Sequence, residues 1–67
     1  MGVISLKGAR VEAGMTQEEL GNAVNVSKNT ICAWENGDSE PKISQFKKLC
    51  KVLNREETEI FLPEKST

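Results

Sequence analysis

The stretch from Thr16 to Gly37, TQEELGNAVNVSKNTICAWENG, does most to limit how this chain can fold. Thr16-Gln17-Glu18-Glu19 has the form of a capping box: the threonine hydroxyl takes a backbone N–H three residues on, and the glutamate reaches back. Leu20, Ala23 and Val24 follow at helical spacing. Asn25-Val26 makes a brief break, and Ser27 is a good N-cap for a second helix carrying Ile31 and Trp34. Asn36-Gly37 supplies the stop, because both residues tolerate left-handed backbone just past a helix end. Two helices of about two turns with almost no linker cannot lie antiparallel like a hairpin. They must cross steeply.

The rest of the chain reads as further helix. Five helices and no strands are predicted, at about 5–12, 17–24, 28–35, 43–53 and 56–61. The first would turn Leu6, Ala9 and Ala13 inward and end at Gly14. Asp38-Ser39-Glu40-Pro41 is a loop, since proline forbids an immediate continuation of the helix. In the fourth helix Ile43, Phe46, Leu49, Cys50 and Leu53 form one apolar stripe, and Asn54 ends it. The short fifth turn brings Ile60 and Phe61 back to the core. Pro63 closes the folded part, with 63–67 read as a frayed tail.

A length of 67 residues allows a single domain, 1–67, with a modest core. It leaves no room for an enzyme cleft or a separate sensing domain. Histidine is absent, and the two cysteines are far apart with no second pair, which excludes the usual zinc spacings and a disulfide framework. Cys32 and Cys50 could join only to each other; a cytosolic setting favours reduced thiols. No catalytic residue, metal site, cofactor or small-molecule ligand is implied. MGVISLKGAR lacks the apolar run of a signal peptide, and no stretch approaches membrane-spanning length. The net charge of −1 argues against indiscriminate nucleic-acid binding. The bases Lys7, Arg10, Lys28, Lys42, Lys47, Lys48 and Lys51 can still gather on one face, while the acids concentrate at Glu18-Glu19, Asp38, Glu40 and Glu56-Glu57-Glu59.

The chain resembles the DNA-binding domain of the Cro/repressor helix-turn-helix family, found in phage repressors and small bacterial regulators. The resemblance is carried by Arg10, Gly14, the Thr16-Gln17-Glu18-Glu19-Leu20 run, Val24, Val26, Ser27, Ile31, Glu35, Asn36, Gly37, Pro41, Leu49 and Leu53. It implies an all-α, compact five-helix bundle of the lambda-repressor-like kind, with the motif at about 17–36. It also implies a cytoplasmic, nucleoid-associated setting in bacteria, in which a myristoylation reading of Gly2 has no place.

Successive residues of the third helix turn by about 100°. Lys28, Asn29, Cys32 and Ala33 then share a polar or small face, with Ile31 and Trp34 behind it. Such a face is either simply solvated or, in this motif, set against base edges in the major groove. Lys28 can donate to guanine and Asn29 can pair bidentately with adenine; Cys32 and Ala33 can touch a thymine methyl. Gln17, at a helix N-terminus that favours anions, is a phosphate-contact candidate together with Ser27, Thr30, Asn36 and Lys42. Asn36 can serve equally as a C-cap. The resemblance implies that Arg10 and Glu35 form a structural ion pair across the helices. Trp34 and Cys50 read as core.

Several residues depart from the family pattern. Gly21 stands where alanine is usual, Lys42 where serine or threonine caps the fourth helix, and Arg55 and Glu57 where apolar residues are common. Asp38 and Glu40 put negative charge in a loop that often follows the DNA backbone. The function implied is sequence-specific binding of double-stranded DNA by a transcriptional regulator, a repressor, working as a homodimer on a pseudo-palindromic operator and assembling on DNA. Two other readings stand beside it: an antitoxin-like partner, against which the few residues after Phe61 speak, and a protein-interaction module on the same fold with little DNA binding.

Overall fold

The computed structural model describes residues 3–63. The readings of Gly2 and of the tail from residue 64 lie outside the described residues. The elements run β1 (Ile4–Ser5), α1 (Leu6–Glu12), α2 (Gln17–Val24), α3 (Lys28–Asn36), α4 (Ile43–Leu53), a 3₁₀ turn (Glu57–Glu59) and β2 (Ile60–Phe61). Each of the first three helices starts on a side-chain cap. The Ser5 hydroxyl accepts from the Gly8 N–H, that of Thr16 from Glu19, and that of Ser27 from Thr30. The Thr16 box is complete, because the Thr16 N–H also donates to Glu19 Oε1 at 2.9 Å. At Lys42 the box has one arm. Lysine has no acceptor to offer, and only its N–H bonds forward, to Gln45 Oε1 at 2.7 Å.

All four helices end the same way. Gly14, Asn25, Gly37 and Asn54 have positive φ, and each lies just before a residue whose N–H reaches back five positions. These bonds are Met15 to Arg10, Val26 to Gly21, Asp38 to Ala33 and Arg55 to Cys50, at 2.8–3.1 Å. This is the bond that defines the Schellman stop, and it satisfies carbonyls the helix leaves open.

Two corrections concern the element list. The expected fifth helix is a three-residue 3₁₀ turn, and the chain does contain strands: β1 pairs with β2 in parallel, Ile4 opposite Ile60 and Ser5 opposite Phe61. Each strand has two residues, too few to show the alternation by which strands are read. Ile60 does return to the core, but extended, while Phe61 beside it is exposed; that conformation suits a β-branched and an aromatic residue.

The core gathers Leu6 and Ala9 from α1, Leu20 and Val24 from α2, Ile31 and Trp34 from α3, Leu49, Cys50 and Leu53 from α4, and Ile60. Three expected core residues are not in it, one of them Phe61, which is 49% exposed. Ala13 is exposed because α1 has already ended at Glu12. Ile43, the first residue of α4, is 76% exposed, since the stripe reaches the core only from Phe46 onward. In α2 it is Leu20, Gly21 and Val24 that are buried, while Ala23 faces solvent. Arg55 stands where an apolar residue is common in the family and forms an ion pair with Glu12, joining the end of α4 to the end of α1.

Gly21 sets the approach of α2 to the turn that follows it. A Cβ there would lie 2.7 Å from the Val26 carbonyl oxygen and 3.2 Å from Ser27 backbone atoms. Alanine would gain about 1 kcal/mol of helix propensity, but only by displacing that turn. Gly21→Val adds branching the space cannot take. It should lower stability by about 1–3 kcal/mol, seen as a lower urea midpoint at unchanged slope.

Candidate nucleic-acid interface

α3 is fixed from behind. Ile31 and Trp34 are buried, at 0% and 3% exposure, against a core completed by α2 and α4. What remains outward is the face expected to read bases. Lys28 and Asn29 are exposed at the N-terminal end, and Cys32 and Ala33 are half-buried one turn on. Lys28 enters no ion pair among the described residues. Ser27, exposed, bonds the Thr30 N–H at 3.2 Å and lies 3.0 Å from the Thr30 hydroxyl. Asn36 is exposed at the other end of α3, where its Nδ2 donates to Cys32 Sγ at 3.4 Å. Lys42, also exposed, follows the Asp38–Pro41 loop in the chain.

Beneath this face lies a group of polar side chains. Arg10 donates from Nε to Glu35 Oε2 at 2.6 Å and from Nη2 to Oε1 at 3.4 Å. Its Nη1 donates to the Met15 carbonyl at 2.8 Å, in the turn before α2. Gln17, half-buried as the first residue of α2, donates from Nε2 to Glu35 Oε1 at 3.0 Å. The two ionic side chains are only 11% and 2% exposed. One carboxylate therefore holds α1, α2 and α3 together.

Sequence reasoning placed Gln17 among the phosphate candidates and missed its bond to Glu35. A signal was available. On the helical wheel Glu35 falls about 20° from Lys28, on the side toward Ile31, so its side chain borders the buried flank and can reach the start of α2.

Residues 6–60 match the model of the helix-turn-helix family. The chain belongs to that family. The helix-turn-helix domain is 41% identical over 46 residues to the cryptic phage CTXphi transcriptional repressor RstR of Vibrio cholerae, covering 69% of this chain and 41% of that repressor. It therefore spans less than half the length of that relative. To an uncharacterized HTH-type transcriptional regulator, YgzD, of Bacillus subtilis it is 34% identical over 56 residues, covering 84% of this chain and 85% of the regulator. A type II methyltransferase of Lactococcus lactis subsp. cremoris is 39% identical over 61 residues, but the match takes in only 16% of its length. No helix of the described residues is long and apolar enough to cross a membrane.

Both cysteines of the helix-turn-helix domain are free thiols, in opposite settings. Cys32 is half-buried on the outer side of α3, and Cys50 is buried at 3% exposure. Burial, then the nearby charges of Glu57 and Glu56, push the Cys50 thiol above its ordinary range.

Arg10→Met strands the Glu35 carboxylate inside the domain at a cost of about 3–5 kcal/mol. A domain of this size has total stability of only about 3–10 kcal/mol, so the melting temperature should fall sharply. An unchanged melting temperature would show that the pair is not needed for folding.

Cys50 gives a pH dependence. An unfolded thiol releases its proton at about pH 8.5, whereas the folded one keeps it. Above that pH the native state binds more protons, and stability falls as pH rises. Urea titrations from neutral to alkaline pH should show this slope, and Cys50→Ala should lessen it. In the native state Cys32 should react with a thiol reagent well before Cys50.

Proposed function

We propose that this domain is a sequence-specific reader of double-stranded DNA, a transcriptional repressor that binds a pseudo-palindromic operator as a homodimer and occludes a promoter. The observation that carries the reading is the construction of α3. Its polar N-terminal end is exposed while its opposite side is locked in the core, which suits a helix inserted in the major groove. Lys28 and Asn29 read base edges, with Cys32 and Ala33 against a thymine methyl. Gln17, Ser27, Thr30, Asn36 and Lys42 meet the backbone and set the register. The phage repressor among the relatives supports repression as the outcome.

A lone recognition helix covers too few base pairs for useful selectivity in a genome. Two copies related by a two-fold axis would bring their helices onto one face of the duplex, about 34 Å apart. The body measures 30 × 25 × 21 Å, so two can lie side by side at that spacing. In this reading the dimer face lies beside the loop and the C-terminal region, around Phe61, which is 49% exposed, and Leu62, which is half-buried. The acids Glu56 and Glu57 next to it weaken assembly in free solution and favour assembly on DNA.

One observation favours a protein-interaction module instead. Asp38 and Glu40 are exposed on the loop that follows α3, where they would repel a phosphate backbone. Titration against random-sequence duplex at two salt concentrations separates the readings, because counterion release gives a DNA reader a steep salt dependence.

Site selection from random duplexes should recover paired half-sites about one helical turn apart. Asn29→Ala should relax preference at one base pair of each half-site, costing about 1–3 kcal/mol on the selected sequence. Asn36→Ala should weaken all sequences alike. Uniform weakening by Asn29→Ala would refute this placement of α3, and a footprint over a single half-site would refute the dimer.

A further inference from the structure

Gln17 is held at its outer position by the ion pair beneath it, and we propose that Glu35 and Arg10 are positioning residues for a phosphate contact made by Gln17. The proposal rests on Gln17 meeting the DNA backbone. A surface glutamine at the start of a helix has three free torsions and loses that freedom when it grips a ligand. Here Nε2 is already bonded to Glu35 Oε1 at 3.0 Å. The acceptor cannot wander to follow it. Glu35 is clamped by Arg10 Nε on one oxygen and Nη2 on the other, and its side chain is 2% exposed. Arg10 is in turn tied to the Met15 carbonyl, two residues before Gln17.

The chemistry of the primary amide suits this position. Its nitrogen carries two N–H groups. One is spent on the carboxylate, and the other remains for an oxygen at the N-terminus of α2. The carboxylate also decides which way the amide is turned, because Gln17 Oε1 facing Glu35 Oε1 would set two acceptors against each other. A glutamate at this position would repel Glu35 and lose both bonds. The ion pair is neutral as a unit, so Glu35 orients the amide with little net repulsion of the phosphate.

A double-mutant cycle tests this, with random-sequence duplex at low salt as the probe and melting temperature monitored throughout. The variants are Gln17→Ala, the paired replacement Arg10→Met with Glu35→Met, and all three together. Replacing both members of a buried pair with apolar residues often leaves a fold intact. Gln17→Ala and the paired replacement should each weaken binding about three- to tenfold, the range of one hydrogen bond. The triple variant should bind no more weakly than Gln17→Ala. The loss should also be the same at two salt concentrations, because an amide releases no counterions.

Losses that multiply in the triple variant would overturn the positioning role and leave Gln17 as a phosphate contact. Unchanged binding by Gln17→Ala would overturn the contact and the positioning with it. If the paired replacement does not fold, Glu35→Asp takes its place in the cycle, because it keeps a charge opposite Arg10 but withdraws the oxygens from Gln17. In parallel, the Gln17 amide proton bonded to Glu35 should exchange with solvent more slowly than its geminal partner in the native domain, and the two should exchange alike in Glu35→Asp. Equal, fast exchange of both protons in the native domain would overturn the proposal.

Discussion

The buried carboxylate of Glu35 is the constraint on which the rest of this domain depends. It cannot be left alone inside the protein, because an uncompensated charge there costs several kcal/mol. Arg10 must therefore come to it from α1 and Gln17 from α2. Those demands fix the crossing of the two helices of the motif more tightly than apolar packing alone would. The same group decides where the start of α2 stands relative to the outer face of α3. In the reading proposed for the domain, that is the distance between phosphate-holding and base-reading groups. On that reading the ion pair serves the recognition surface as well as the core.

Much of the fold was legible because helix punctuation is local chemistry. Ser5, Thr16 and Ser27 cap the helices they precede, and Gly14, Asn25, Gly37 and Asn54 stop the helices they follow. Each needs only its own neighbours to do so, and a linear reading sees neighbours. The bounds of α2 and α4 came out as read, and α3 runs one residue longer, to Asn36.

What the sequence hid is what depends on distant partners. The strand pair of Ile4–Ser5 and Ile60–Phe61 joins segments from opposite ends of the chain, each too short to advertise itself. Ile43 keeps the periodicity of the stripe but sits above the core, a matter of where a helix enters rather than of its pattern. The Gln17–Glu35 bond was hidden in the same way, since an amide at a helix start is equally at home in solvent. Gly21 was seen as a departure from the family, but its use became clear only with the Val26 carbonyl lying where a methyl would go.

The parallel clasp of β1 on β2 also bears on kinetics. The packing of α2 on α3 joins residues close in sequence, of the kind that form fast, whereas the clasp closes nearly the whole chain into one loop. Its closure entropy is best met once the helices have already brought the two ends together. A contact made late in folding contributes little to the barrier on the way in and is broken early on the way out. Two strands of two residues each therefore act on the lifetime of the native state, while the speed of its formation is left to the helices.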